Sequence, residues 1–171
     1  MRPGDPSDPL LRQVLPLAAE DNPVAGFTTD PVGELGRPTV DGVLYKYHGR
    51  ALVLVVHANH ANEIDGDVRR ALAALAATGA TLLNQSVLLG GVNDEVDAMA
   101  DLSESLFAAG VLPYYLHMLD PVDGAAHFRV SDERARELVS ALAARLPGYL
   151  VPRLVREVEG APAKVGVDLW G

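Results

Sequence analysis

Three apolar runs decide the fold: Ala51-Leu-Val-Leu-Val-Val56, Thr81-Leu-Leu-Asn-Gln-Ser-Val-Leu-Leu89 and Val111-Leu-Pro-Tyr-Tyr-Leu-His-Met-Leu119. They begin thirty residues apart, about the length of one strand–helix unit. A fourth run, Leu150-Val-Pro-Arg-Leu-Val155, closes the series. The runs are short and mostly lack clean alternation, which predicts strands covered on both faces. Between them, apolar residues recur at spacings of three and four: Ile64, Val68, Leu72, Leu75; Val96, Met99, Leu102, Leu106; Ala135, Leu138, Leu142, Leu146. Each set predicts one apolar helix stripe. Gly79, Gly110 and Pro147-Gly148 follow as stop signals, and Asn93 or Asp94 and Ser131 are candidate N-caps. Right-handed crossovers then give a parallel sheet of about four strands. A complete eight-fold barrel needs about 250 residues, so the expected fold is α/β, a partial (half) βα barrel.

The chain has 171 residues and a hydrophobic fraction of 49%. A domain of that size buries roughly 70% of its unfolded surface. Residues 1–50 are rich in turn signals and read as an N-terminal arm or an ordered wrap, and residues 51–171 as the βα-repeat partial barrel. The formal charge of −9 argues against a nucleic-acid or anionic-membrane surface. No apolar run approaches a membrane span, and Met1-Arg2-Pro3-Gly4-Asp5-Pro6 has no apolar signal core, so a cytoplasmic location is expected. There is no cysteine, which excludes disulfides, thiolate nucleophiles and Cys-ligated zinc or iron–sulfur clusters. A lysine-based mechanism has only Lys46 and Lys164 to choose from.

In parallel α/β folds, sites form at the C-terminal ends of the strands. Here all four ends carry polar or charged residues: His57-Ala-Asn59-His60-Ala-Asn62-Glu63; Gly90-Gly91-Val-Asn93-Asp94; His117-Met-Leu-Asp120; Arg156-Glu157-Val-Glu159 with Lys164 beyond. A convergent site is the reading, against a bland polar rim. His57 and His60, three apart with Glu63, are read as hydrogen-bonding groups rather than metal ligands. Asn84-Gln85-Ser86 lies inside an apolar run, where amides are costly unless paired. A core network and a ligand contact both remain open for it. Lys164 reads as a solvated loop lysine or as a Schiff-base lysine for pyridoxal phosphate, which needs a phosphate cradle nearby. Lys46-Tyr-His-Gly-Arg50 could supply cationic and hydroxyl contacts.

These motifs, together with Gly4-Asp5-Pro6, Asp30-Pro-Val-Gly-Glu34, Leu112-Pro-Tyr-Tyr-Leu-His117, Gly124-Ala-Ala-His-Phe128 and Leu146-Pro-Gly-Tyr-Leu-Val-Pro-Arg-Leu-Val155, resemble the lysine 2,3-aminomutase family. Within it, they look most like the bacterial branch that makes β-lysine for elongation factor P. The resemblance implies a radical S-adenosylmethionine isomerase that uses a 4Fe-4S cluster and pyridoxal phosphate to move the amino group of lysine. It implies that Lys164 is the catalytic Schiff-base lysine. It places Lys46, Tyr47 and Arg50 among pyridoxal-phosphate-binding residues, and His60 and Gln85 at the adenosylmethionine site. Asp120 and Glu157 fall at carboxylates that bind the distal ammonium of the substrate.

The family's cysteine triad should follow the strand after Arg50. Instead, Arg50-Ala-Leu runs directly into Val-Leu-Val-Val-His, which resembles a strand from much later in the barrel. Met1 also looks like an internal residue of the family, so an N-terminal portion is expected to be missing. The expectation is therefore an internally deleted chain, joined near Leu52-Val53, that does not catalyse the aminomutase reaction alone. A half-barrel also leaves open sheet edges that invite self-association. Two other functions remain open: a pyridoxal phosphate or lysine binding module without radical chemistry, and a metal-dependent α/β hydrolase using His57, His60 and Asp120.

Overall fold

The computed structural model describes residues 8–14, 24–28 and 55–168. Within them the elements run α1 (Pro9–Val14), β1 (Val55–Val56), α2 (Gly66–Ala76), β2 (Leu82–Val87), α3 (Val96–Ala108), β3 (Val111–His117), α4 (Asp132–Arg145), β4 (Arg153–Arg156) and β5 (Val165–Gly166). The sheet is open, in the order β1-β2-β3-β4-β5. β1 to β4 are parallel, as expected, and β5 pairs antiparallel with β4. That fifth strand departs from the all-parallel expectation. It arises where the chain turns back after β4, through a turn at Gly160 with φ of +79°.

The sheet presents two different faces. On one, Leu82 and Val111 meet Leu72 of α2 and Leu102 and Leu106 of α3. On the same face, Leu116 and Leu154 meet Met99, Ala135, Leu138 and Leu142 of α3 and α4. The residues paired across the other face include Leu83 with Leu112, Gln85 with Tyr115, Val87 with His117, and Tyr115 with Arg153. Among the described residues no helix packs on this face, and Leu112 keeps 38% of its surface exposed. The expectation of strands covered on both faces is thus corrected: β3 alternates buried and exposed from Val111 to Tyr114. A bulge then intervenes, because Asn84 pairs with Pro113 while Gln85 pairs with Tyr115. Tyr114 is the extra residue. It lets both Pro113 and Leu116 face the helices, which a regular strand forbids at a spacing of three. The bulge also breaks the sequence alternation that would have revealed the one-sided sheet.

Local signals work where their chemistry is local. Ser131 caps α4 by accepting from the Arg134 amide at 3.2 Å. Gly79 and Gly110 have φ of +87° and +77° just after α2 and α3, where a left-handed residue ends a helix. Neither Asn93 nor Asp94 caps α3, however. The N-cap is Glu95, without a side-chain bond, because the Asn93 amide is committed elsewhere. The first predicted stripe is also shorter than its spacing implied: Ile64 precedes α2, and Leu75 is 39% exposed. Asp65 caps α2 through the amides of Asp67 and Val68. Among the described residues, no helix is long and apolar enough to cross a membrane.

Candidate functional site

The polar residues at the strand ends divide according to the face they occupy. Asn84 and Ser86 lie on the helix side, with 1% and 3% of their surfaces exposed. The Asn84 amide accepts from the Ala58 amide at 2.9 Å and donates to the Ala58 carbonyl at 3.1 Å and to Ser86 Oγ at 2.8 Å. Ser86 in turn donates to the Ala58 carbonyl at 2.9 Å. Asn93 closes the next loop: its Oδ1 accepts from Leu89, and its Nδ2 donates to the carbonyls of Asn59 and Val87. Asn59 accepts from the Val87 amide at 2.8 Å and donates to Gln13 of α1 at 3.0 Å. Every polar edge here meets backbone or another side chain, so these amides are a structural network. They fix the loop after β1 against the end of β2.

Gln85 points the other way, because strand neighbours alternate. It lines a cavity of about 310 Å³ together with His57, His117, Asp120, Glu157 and Lys164. One tripeptide therefore satisfies both readings left open for it: Asn84 and Ser86 build the core, and Gln85 faces the cavity.

The centre of this cavity is an ion pair. Lys164 Nζ lies 2.5 Å from Glu157 Oε1, with the two side chains only 9% and 8% exposed. Lys164 is not the solvated loop lysine of the bland reading. Its Nζ stands 5.6 Å from the centre of the Tyr115 ring, within cation–π range. His117 Nδ1 approaches the same Glu157 oxygen at 3.9 Å, and the His117 ring meets Tyr115 edge-on. Hydrogen bonding with Tyr114, then burial, holds the Tyr115 phenol above its ordinary range, so it stays neutral beside these charges. A second cavity of about 300 Å³ shares Met118, Leu119, Asp120 and Glu157 with the first. Arg156 lines it, held by both oxygens of Asp132 at 2.6 and 2.7 Å.

The structure thus brings Lys164, Glu157, Asp120 and Gln85 to one cavity together with His57 and His117, strand-end residues of the expected convergent site to which the resemblance assigned no individual role. The signal for His117 was its position two residues before the end of the third apolar run. His60 does not line this cavity. It caps the short turn Ala61–Glu63, where its Nδ1 accepts from the Asn62 amide. Lys46, Tyr47 and Arg50 lie outside the described residues. Among the described residues, no three His, Asp or Glu side chains converge as metal ligands, so the grouping of His57, His60 and Asp120 required for a hydrolase is not formed.

An open, mostly parallel α/β sheet is compatible with part of a βα barrel. No family model matches the chain. Its sequence is related to the L-lysine 2,3-aminomutases. It is 56% identical to that of Escherichia coli over 118 residues, which are 69% of this chain and 34% of the relative. The Haemophilus influenzae protein of the same name is 52% identical over 66% of the chain and 33% of the relative. That of Methanococcus maripaludis is 38% identical over 73% and 28%. The chain spans about a third of the length of the curated relatives it matches.

Proposed function

We propose that this chain carries the amine-handling part of a lysine 2,3-aminomutase site: it binds lysine or a similar cationic amino acid and holds pyridoxal phosphate at Lys164. It does not perform the radical rearrangement by itself. The observation that supports this reading is the single cavity in which a buried lysine, Glu157 and Asp120 meet. Two carboxylates suit a substrate ammonium, since charge-assisted hydrogen bonds are strongest where water is excluded. A buried lysine opening on a cavity suits capture of an aldehyde. A volume near 300 Å³ falls at the small end of ligand sites.

The fit to pyridoxal phosphate is good at the lysine and incomplete at the phosphate. Among the described residues lining the cavity, Lys164 is the only lysine or arginine, and it cannot serve both ends of the cofactor. When bound, the cofactor supplies an electron sink next to the amine. The chain's own contribution is to hold the Lys164 proton at Glu157, keep water from Nζ, and direct a cationic substrate toward Asp120. An iron–sulfur cluster does not fit, because the chain has no cysteine to ligate it. Adenosylmethionine binding through Gln85 and His60 is left with only Gln85 at the cavity, and a role in elongation factor P modification rests on the resemblance alone.

Adding pyridoxal phosphate to the purified chain tests the reading. The expected result is a visible absorbance band that is absent in Lys164→Ala and sharpens or shifts on addition of L-lysine. A folded chain that develops no band contradicts it.

A further inference from the structure

Lys164 meets Glu157 because of a strand register. In the β4–β5 hairpin, Val155 pairs with Gly166 and Arg156 with Val165. The Val167 amide donates to the Leu154 carbonyl at 3.1 Å, which extends the same register at one end. At the other end the next opposed pair is Glu157 and Lys164, whose side chains form the nearly buried ion pair. Opposed residues of an antiparallel ladder point to one face, with Cβ atoms about 5 Å apart. A slip of one residue would turn Lys164 to the other face. A slip of two would carry it about 7 Å along the strand from Glu157.

The hairpin itself does little to hold that register. β5 has two residues, Val165 and Gly166, and both are exposed. In the connection 158–163, Val158, Glu159, Gly160, Pro162 and Ala163 are exposed, and Ala161 donates to the Val158 carbonyl at 3.0 Å. Val167 packs against the core beyond the strand. The other fastenings come from α4. Asp132 takes Arg156 with both carboxylate oxygens, at 2.6 and 2.7 Å. Arg136 donates from Nε to the Asp168 carbonyl at 2.9 Å. Asp132 and Arg136 are four residues apart, so they share one face of the helix. One grips the residue just before Glu157, and the other grips the chain just past β5. Neither lines the cavity that holds Lys164.

We propose that Asp132 and Arg136 are positioning residues: they lock the β4–β5 register from α4 and so keep Lys164 Nζ at Glu157 and away from water. Each contact is solvent-exposed and modest, so the fold as a whole depends on it little. A two-residue edge strand opens locally far more readily than the buried strands beside it, so the same modest contacts decide how often Lys164 is released. The meaning of the lock for amine chemistry rests on the proposed capture of an aldehyde at Lys164. The lock itself does not need that reading.

Acetylation of the full chain with acetic anhydride, followed peptide by peptide by mass spectrometry, tests the proposal. A buried amine reacts through its opened form, so the rate at Lys164, relative to the same chain in urea, reports that opening. Asp132→Asn and Arg136→Met should each raise it about threefold, and the two together about tenfold. Asp132→Glu, which keeps the carboxylate, should not. Hydrogen exchange should quicken at Val165 and Val167 and stay unchanged in β2 and β3, whereas a merely structural role would quicken all of them together. If the double variant does not fold, the single variants give the same two readings. Folded variants with unchanged acetylation at Lys164, or with exchange raised throughout the sheet, overturn the proposal. A chain with no pyridoxal phosphate band but the selective rise at Lys164 refutes the proposed function and leaves the lock standing. A band without the rise does the reverse.

Discussion

The two faces of the sheet treat polar residues in opposite ways. On the helix face, Asn84, Ser86 and Asn93 form a closed circuit in which each amide or hydroxyl meets a backbone group or another side chain. On the other face, Gln85, His117, Glu157 and Lys164 gather around a cavity, with charges paired across a loop. Burial is similar in the two places, so burial alone does not mark function. What differs is whether the polar groups end on the fold itself or on a space that can admit a ligand. The first arrangement specifies one structure; the second stores charge where a substrate can use it.

Four substitutions or conditions would break or sharpen this contrast. The largest effect is expected from Glu157→Ala, which strands the nearly buried Lys164 ammonium; breaking such a pair costs about 3–5 kcal/mol. Urea denaturation should show the loss, and Lys164→Met/Glu157→Ala should recover part of it, because neither charge is then left alone. Asn84→Ala should cost about 2–3 kcal/mol by leaving the buried Ala58 amide without its acceptor. Its effect should fall on stability, with the pyridoxal phosphate absorbance unchanged in the protein that folds. Asp132→Asn should cost less than about 1 kcal/mol, since its pair with Arg156 is 38% exposed on each side.

The smallest effect concerns pH. Tyr115 binds its proton more tightly in the fold than in the unfolded chain, first through Tyr114 and then through burial. Its contribution to stability is complete below the ordinary tyrosine range and is lost as pH rises through that range and beyond. The thermal midpoint of the unaltered chain should therefore fall more steeply in alkali than that of Tyr115→Phe. Equal slopes would show that the tyrosine pair does not feel the fold.

Much of this was legible in the sequence, because the decisive signals were local. Apolar runs at a fixed spacing marked the parallel strands, and the glycines after the first two stripes, Gly79 and Gly110, ended α2 and α3. The site's position followed from topology: residues just past β1, β3 and β4 had to meet at one end of the sheet. The missed features depend on long-range pairing. The bulge at Tyr114 is set by β2, so the one-sided sheet was hidden behind an apparently irregular run. Asn93 looked like a helix cap because the carbonyl of Asn59, 34 residues away, is invisible in local context. Lys164 looked solvated because the loop that carries it is Gly/Ala/Pro-rich, whereas its environment is set by Glu157 and Tyr115. The capping of the turn Ala61–Glu63 by His60 was also not read from the sequence.

The most direct test of the central claim uses the fact that the chain has only two lysines. Pyridoxal phosphate should be added, the product trapped with borohydride, and the modified peptide identified by mass spectrometry. The account predicts a phosphopyridoxyl group on Lys164, protected when L-lysine is present in excess. Modification confined to Lys46 or the amino terminus, with Lys164 untouched, would contradict it.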